Sequence, residues 1–341
     1  MTTQSREIII QTFLAEKGLK EASRKALAGD ASFRSYQRLG TKAGTLVLMN
    51  APPAHEDVRP FVAVAGYLRL LGLSAPEVVA KDLKNGLLLL EDLGDDTFNK
   101  VLDQAPDKTG SLYRNAIEAL GHLHQTTPPR ELPLKGGKAV GLLDYAPDLL
   151  FEELFLFCDW YLPALLDVKN EIWRNELRAI WQPWFESLGG QPPCLTLRDY
   201  HADNLMWLPR RQGVARVGLL DFQDAVRGHP AYDLVSLLQD ARRPYDQGLE
   251  EEMINHYLVN FGQSFNRDEF LKAYEILGAQ RNMKIIGIFT RLWKRDGKGE
   301  YPEMIPHVWT LLEKNLSHPA LAEAKAWIDK MVPGEMRTKR L

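Results

Sequence analysis

Residues 197–208 read LRDYHADNLMWL, and residues 219–225 read LLDFQDA. Each stretch sets carboxylate and carboxamide side chains into a short break between apolar flanks. Asp199 and Asn204 stand five positions apart in the first, and Asp221 opens the second directly after an apolar run. Taken alone, an Asp and an Asn at this spacing stabilise a turn, because Asx side chains bond the backbone a few residues on. Two such loops, with a short strand-like run before the second, ask for a chemical explanation as well. Phosphoryl transfer needs a carboxylate facing the attacking hydroxyl and oxygen ligands for magnesium, and no covalent protein intermediate. Mg²⁺ keeps few protein oxygens and shares the phosphates of its nucleotide. Asp199, Asn204 and Asp221 supply such a set.

Composition narrows the kind of protein around these loops. At 341 residues the chain is long enough for one large domain or two smaller lobes. A net charge of −3 gives no general attraction for nucleic acid or for an anionic membrane surface. The longest strongly apolar run, residues 148–166, is interrupted by Glu152, Glu153 and Asp159, so no membrane span is expected. The stretch MTTQSREIII lacks the long apolar core of a secretory signal. Cys158 and Cys194 are the only cysteines, which suits a reducing compartment rather than a disulfide framework. The expectation is a cytoplasmic monomer with no nucleic-acid or membrane partner.

Periodicity divides the chain into two regimes. A short helix is predicted over residues 7–16, followed by two strands within GDASFRSYQRL, GTKAG and TLVLMN. Apolar residues at Phe61, Val64, Ala65, Leu68 and Leu71 predict a helix over residues 59–71. Residues 76–80 and 86–91 read as two more strands. Beyond EDLGDD the pattern turns to long helices, predicted at 111–126, 147–166, 171–188, 232–242, 249–261 and 267–292. Only residues 194–221 interrupt them, with the apolar runs CLTL, LMWL and VGLL. The expected organisation is a small β-rich lobe over residues 1–91, a hinge at 92–95, and a larger, mainly helical lobe over 96–341.

At this point the two loops resemble a known pair. LRDYHADN is similar to the H-R-D-x-x-x-x-N catalytic loop of the protein-kinase-like fold, and LLDFQDA to its metal loop. The resemblance implies an α+β, bilobal protein-kinase-like fold, with a nucleotide-covering N-lobe and a C-lobe for catalysis and acceptor binding. It makes Asp199 the catalytic base and Asn204 and Asp221 the magnesium ligands. Only FQDAVRGHPAY separates Asp221 from Asp233, too short for an activation segment ending in A-P-E, which argues against a peptide acceptor. His201 resembles the histidine of aminoglycoside phosphotransferase and choline kinase relatives, where serine/threonine kinases usually have lysine.

Within that superfamily, longer blocks resemble the bacterial anomeric N-acetylmuramate/N-acetylglucosamine kinases. They include GDASFRSYQRL, EDVRPFVAV, LLLEDLGD, LDFQDAVRGHPAYDLVSLLQDARR and QRNMKIIGIFTRLWKRDGKGEY, spread over roughly residues 29–306. The resemblance implies an ATP- and Mg²⁺-dependent sugar kinase acting on the C1 hydroxyl of a small amino sugar, in cell-wall recycling. Related sequences need not share an acceptor. An aminoglycoside or another small alcohol is the alternative acceptor.

On the nucleotide side, GDASFRSY is expected to cover the phosphates. Gly29 permits close backbone approach, Ser32 and neighbouring amides bond phosphate oxygens, and Phe33 and Arg34 complete the turn. Backbone groups near Glu91 and Leu93 are expected to pair with adenine. One departure stands out: Met49 occupies the strand position where a kinase lysine is expected, and residues 61–63 replace its glutamate partner. Arg34 is a candidate substitute for the lysine's charge. The same departure admits a second class of function, a nucleotide-binding regulatory pseudokinase.

On the acceptor side, Glu153 and Trp160 lie in the acidic, aromatic stretch DYAPDLLFEELFLFCDWYL and are candidates to bind sugar hydroxyls and an apolar sugar face. His201 and Asp203 are further candidates in the loop itself. Arg281 and Lys284, in QRNMK, are candidates to meet a carboxylated sugar. Asp233 is expected to tie the helix that follows it to the Asp199 loop.

Overall fold

The computed structural model describes residues 3–27, 33–134, 138–168 and 170–337. Contacts divide the chain into two compact units, one of Met1–Ala119, Pro129–Leu142 and Asp203–Ala225, the other of Leu120–Pro128, Leu143–Ala202 and Val226–Leu341. The division is not one cut along the sequence. Asn204 and Asp221 fall in the first unit and Asp199 in the second.

The first unit is built on a five-stranded antiparallel sheet in the order Ser23–Ala26, Ser35–Thr41, Gly44–Asn50, Leu87–Glu91, Val78–Asp82. The tight hairpin inside it turns where the Thr41 hydroxyl accepts the Ala43 amide hydrogen at 3.2 Å. Gly44 then takes φ +128°, a region open to glycine. Leu39, Leu48, Leu87 and Leu89 share one face of the sheet by the two-residue period of a strand. Ile10, Phe13 and Leu14 of the helix Thr3–Glu16 close over that face. The helix Arg59–Leu70 begins at a first-turn proline, where a missing amide costs nothing. It buries Phe61, Val64, Ala65 and Leu68, the stripe read from the sequence.

The same unit holds the antiparallel pair Leu205–Trp207 and Val217–Leu219. Its strands are tied down from outside the pair: Leu219 donates its amide to the Ser74 carbonyl at 2.9 Å, and Trp207 to that of Asp96 at 2.7 Å. Three elements here escape local pattern. The strand Ser23–Ala26 is SRKA, a sheet edge with no apolar alternation. The hairpin Glu131–Leu134 with Lys138–Gly141 carries Pro133, a residue that argues against a strand. The helix Phe98–Gln104 is short and depends on its cap, the Thr97 side chain accepting the Lys100 amide hydrogen.

The second unit is helical and centres on Arg267–Asp296, 30 residues long. Asn266 caps its start by accepting the Asp268 and Glu269 amides, and Gly297 at φ +70° ends it after Lys294 and Arg295. The helix is buried almost continuously from Ile276 to Gly287. Around it pack Ile305–Leu316, Pro147–Leu156 and Ala231–Leu238. Ile305–Leu316 and Ala322–Met331 were not anticipated, and the helix expected to reach residue 242 ends at Leu238. No described helix is long and apolar enough to cross a membrane.

The single helix expected over residues 147–166 is three pieces: Pro147–Leu156, a π-helical turn Phe157–Tyr161, and Leu162–Leu166. Pro163 explains the interruption. It has no amide to donate to the carbonyl four residues back, and its ring crowds that carbonyl, so the preceding turn widens by one residue. Gly287 allows the widened turn to sit against the central helix, since a Cβ there would lie 2.4 Å from the Leu156 carbonyl carbon.

Candidate active site

The Asp199 loop leaves the buried strand Cys194–Thr196, which pairs with Val226–Gly228. The turn is fixed by a side chain from the following helix. Asp233, wholly buried in the first turn of Ala231–Leu238, accepts the Leu197 amide hydrogen at 2.6 Å and that of Arg198 at 2.8 Å. This is the tie expected of Asp233. Burial pushes its carboxyl up to about 7 despite the two amides. With its backbone held there, Arg198 takes φ +71°, a strained conformation for an arginine that aims the next residue out of the strand direction.

Asp199 is half-buried. Burial alone would raise its pKa, but the charges of Lys284, His201, Arg281 and Arg198 outweigh that and hold it below the usual carboxylate value. It therefore stays ionised in a cationic surrounding. His201 is buried, and burial lowers its pKa against the opposing pull of Asp240 and Asp199. Asp240 also accepts the Ala202 amide hydrogen, at 3.3 Å.

Glu153 is placed otherwise than a sugar-binding carboxylate would be. It is buried, with Arg198 and Lys284 Nζ, the latter at 2.7 Å, donating to Oε1. Tyr145 and Gln280 Nε2, the latter at 3.1 Å, donate to Oε2. Four donors use the acceptor positions of a carboxylate. Burial opposes its charge, yet Lys284 and Arg198 bring its pKa down to about 2. Lys284 is likewise committed, to Glu153 and, at 3.4 Å, to the Tyr232 hydroxyl. Trp160 is half-buried in the π-helical turn, and Arg281 is buried in the central helix. Arg198, Tyr145, Gln280, Tyr232 and Asp240 were not singled out from sequence. Only Arg198 carried a local signal, as the neighbour of Asp199.

In the first unit, Asn204 and Asp221 flank one end of the strand pair. Leu205 is opposite Leu219, and the Asn204 carbonyl accepts the Leu220 amide hydrogen at 2.9 Å. Asp221 has φ +56°, and its Oδ1 accepts from Arg34 Nη2 at 3.1 Å and Gln223 Nε2 at 3.0 Å. Asp203 is half-buried beside Asn204. Among the described residues no group of three or more His, Cys, Asp or Glu side chains forms a metal cage. Two oxygen-bearing side chains at one strand end fit a magnesium ion shared with nucleotide phosphates rather than a closed protein site.

The nucleotide-side residues divide. Gly29 and Ser32 lie outside the described residues. Phe33 is 67% exposed and stacks on His55 at 4.4 Å between ring centroids. Arg34 is tied to the loop after Val217–Leu219 through its bond to Asp221. Glu91 ends its strand with its amide bound to the Glu77 carbonyl at 2.8 Å and its carboxylate paired with Arg211. Leu93 packs against Gly218. Met49 is buried in the sheet, and Phe61 and Ala63 are buried in the helix, so the lysine–glutamate positions are occupied by apolar packing.

Comparison with known proteins places this arrangement. Residues 23–270 match the phosphotransferase enzyme family. The chain is 39% identical, over 99% of its own length and 100% of the relative's, to an N-acetylmuramate/N-acetylglucosamine kinase of Caulobacter vibrioides. It is 37% identical, over 87% and 85% of the two chains, to a protein of the same name from Pseudomonas aeruginosa. A choline/ethanolamine kinase family structure from Mesorhizobium loti shares the fold at a TM-score of 0.59, covering 94% of this chain and 99% of that one at 16% identity. The fold is thus the bilobal, α+β kinase-like one, with a small sheet-based N-lobe and a mainly helical C-lobe. The chain belongs to the phosphotransferase enzyme family.

Proposed function

We propose that this phosphotransferase moves the γ-phosphoryl group of ATP to the anomeric C1 hydroxyl of N-acetylmuramate or N-acetylglucosamine, as a cytoplasmic, monomeric sugar kinase of cell-wall recycling. The observation that carries the reading is the likeness, across nearly the whole of both chains, to a kinase bearing that name. In this reading Asp199 accepts the hydroxyl proton. A base that stays ionised beside the cations Lys284, Arg281 and Arg198 is a weak one, and the acceptor makes up the difference. An anomeric hydroxyl is more acidic than an ordinary alcohol because of the neighbouring ring oxygen, so less basicity is needed. Asn204 and Asp221 hold Mg²⁺, which when bound neutralises phosphate charge as it is redistributed. Gly29, Ser32, Phe33 and Arg34 cover the phosphates, Glu91 and Leu93 border the adenine, and residues 92–95 act as the hinge between residues 1–91 and 96–341. His201, Asp203 and Trp160 are acceptor-side residues.

Buried Met49 favours a second reading, a regulatory protein that binds nucleotide without turnover. Incubation with Mg·ATP and a panel of amino sugars, aminoglycosides and simple alcohols separates the readings. The proposal expects a sugar 1-phosphate and stoichiometric ADP. Nucleotide binding with no product on any acceptor supports the second reading and defeats the first.

A further inference from the structure

The central helix carries four polar side chains in its buried stretch: Gln280, Arg281, Asn282 and Lys284. Three of them donate to protein acceptors. Gln280 reaches the Leu150 carbonyl at 3.2 Å and Glu153 at 3.1 Å, Asn282 reaches Gln239 at 3.0 Å and Asn315 at 2.9 Å, and Lys284 holds Glu153. Arg281 differs. It is 4% exposed, its Nη1 has no hydrogen-bond partner, and it forms no ion pair among the described residues. Its charge is nevertheless felt at Asp199, His201, Tyr232 and Asp233.

A buried guanidinium cannot shed its proton, so its desolvation has to be met by a counter-charge. Among the described residues no carboxylate pairs with it directly. Arg198, Lys284 and Arg281 contribute three positive charges, against the carboxylates of Glu153 and Asp199. Glu153 is saturated by four donors, and both oxygens of Asp233 are engaged by backbone amides. A buried donor left without a partner calls for one that the fold itself does not supply. The fork of a guanidinium matches the two oxygens of a carboxylate or the edge of a phosphate.

We infer that Arg281 is a specificity-determining residue that receives a carboxylate carried by the acceptor. The inference rests on the reading of Asp199 as the base that faces the acceptor hydroxyl. Arg281 belongs to the same compact unit as Asp199, whereas Asn204, Asp221 and Arg34 belong to the other. That placement favours an anion on the acceptor over the nucleotide phosphates. N-acetylmuramate has such a carboxylate on its ether side chain, and N-acetylglucosamine does not.

The test compares wild type, Arg281→Met and Arg281→Lys on the two sugars, by steady-state kinetics and by calorimetric binding. Loss of a hydrogen-bonded charge pair corresponds to about 10- to 100-fold. The rise in KM for N-acetylmuramate in Arg281→Met is therefore expected to exceed that for N-acetylglucosamine by at least about tenfold, with partial recovery in Arg281→Lys. Removing an unpartnered buried cation is expected to leave Tm unchanged or raised, so the variant is expected to fold. Equal losses of kcat on both sugars would put the guanidinium at the transferring phosphoryl group and overturn the inference, as would no change on either. If wild type turns over neither sugar, the proposed function fails, and binding still decides this point. A wild-type preference for the carboxylated sugar that vanishes in Arg281→Met supports the inference, and no preference overturns it.

Discussion

Asp233 Oδ1 lies 2.8 Å from the amide nitrogen of Arg198 and accepts its hydrogen, while Oδ2 does the same for Leu197. One carboxylate thereby sets the backbone on which Asp199 is mounted. Asp233→Ala leaves both amides without their acceptor in a dry interior, at about 1–3 kcal/mol for each. Urea unfolding should show that loss, and activity should fall as the loop relaxes. Asp233→Asn keeps one acceptor oxygen and is expected to fall between wild type and Asp233→Ala. An Asp233→Ala protein with unaltered unfolding midpoint would contradict this role.

Glu153 holds two cations at once, so its removal exposes more than one bond. Glu153→Ala leaves Arg198 and Lys284 buried without a counter-charge, a loss of about 3–5 kcal/mol. The depressed pKa gives a direction with pH. A glutamate lowered from 4.5 to about 2 stabilises the fold fully above 4.5 and loses that contribution as pH falls through 2. Acid titration of stability is expected to be flatter in Glu153→Gln than in wild type across that window. Identical acid profiles would contradict this role of Glu153.

Met49 tests the departure from the kinase pattern. Met49→Lys restores the usual residue in a place where its glutamate partner is absent and Phe61 and Ala63 are buried. The new ammonium gains no counter-charge from them. The expected result is a lower Tm with no gain in kcat, read by thermal unfolding and initial rates. A rise in kcat would show that the lysine position is still functional.

Local pattern made some of this architecture legible and left the rest hidden, for identifiable reasons. The stripe of Arg59–Leu70, the run Leu87–Glu91 and the long helix expected over 267–292 are short-range signals, and their elements appear within a few residues of expectation. Asp199, Asn204 and Asp221 stand out by loop spacing for the same reason. Ser23–Ala26 is a strand only because Ser35–Thr41 offers it an edge, and the turn Phe157–Tyr161 depends on both Pro163 and the Gly287 surface. The surroundings of Asp199 were the least legible part. Glu153, Gln280 and Lys284 meet from more than a hundred positions apart, so neither the saturation of Glu153 nor the isolation of Arg281 is written in any local spacing.

In the proposed function Asp199 serves transfer of phosphate onto an amino sugar. Its most direct test is phosphorus NMR and mass spectrometry of N-acetylglucosamine and N-acetylmuramate after incubation with Mg·ATP, for wild type and Asp199→Ala side by side. Wild type is expected to give a sugar 1-phosphate, and turnover in the variant to be lower by about 10²–10⁴-fold, the usual contribution of a positioned general base. No phosphorylated sugar with wild type, or near-full turnover without the Asp199 carboxylate, would contradict it.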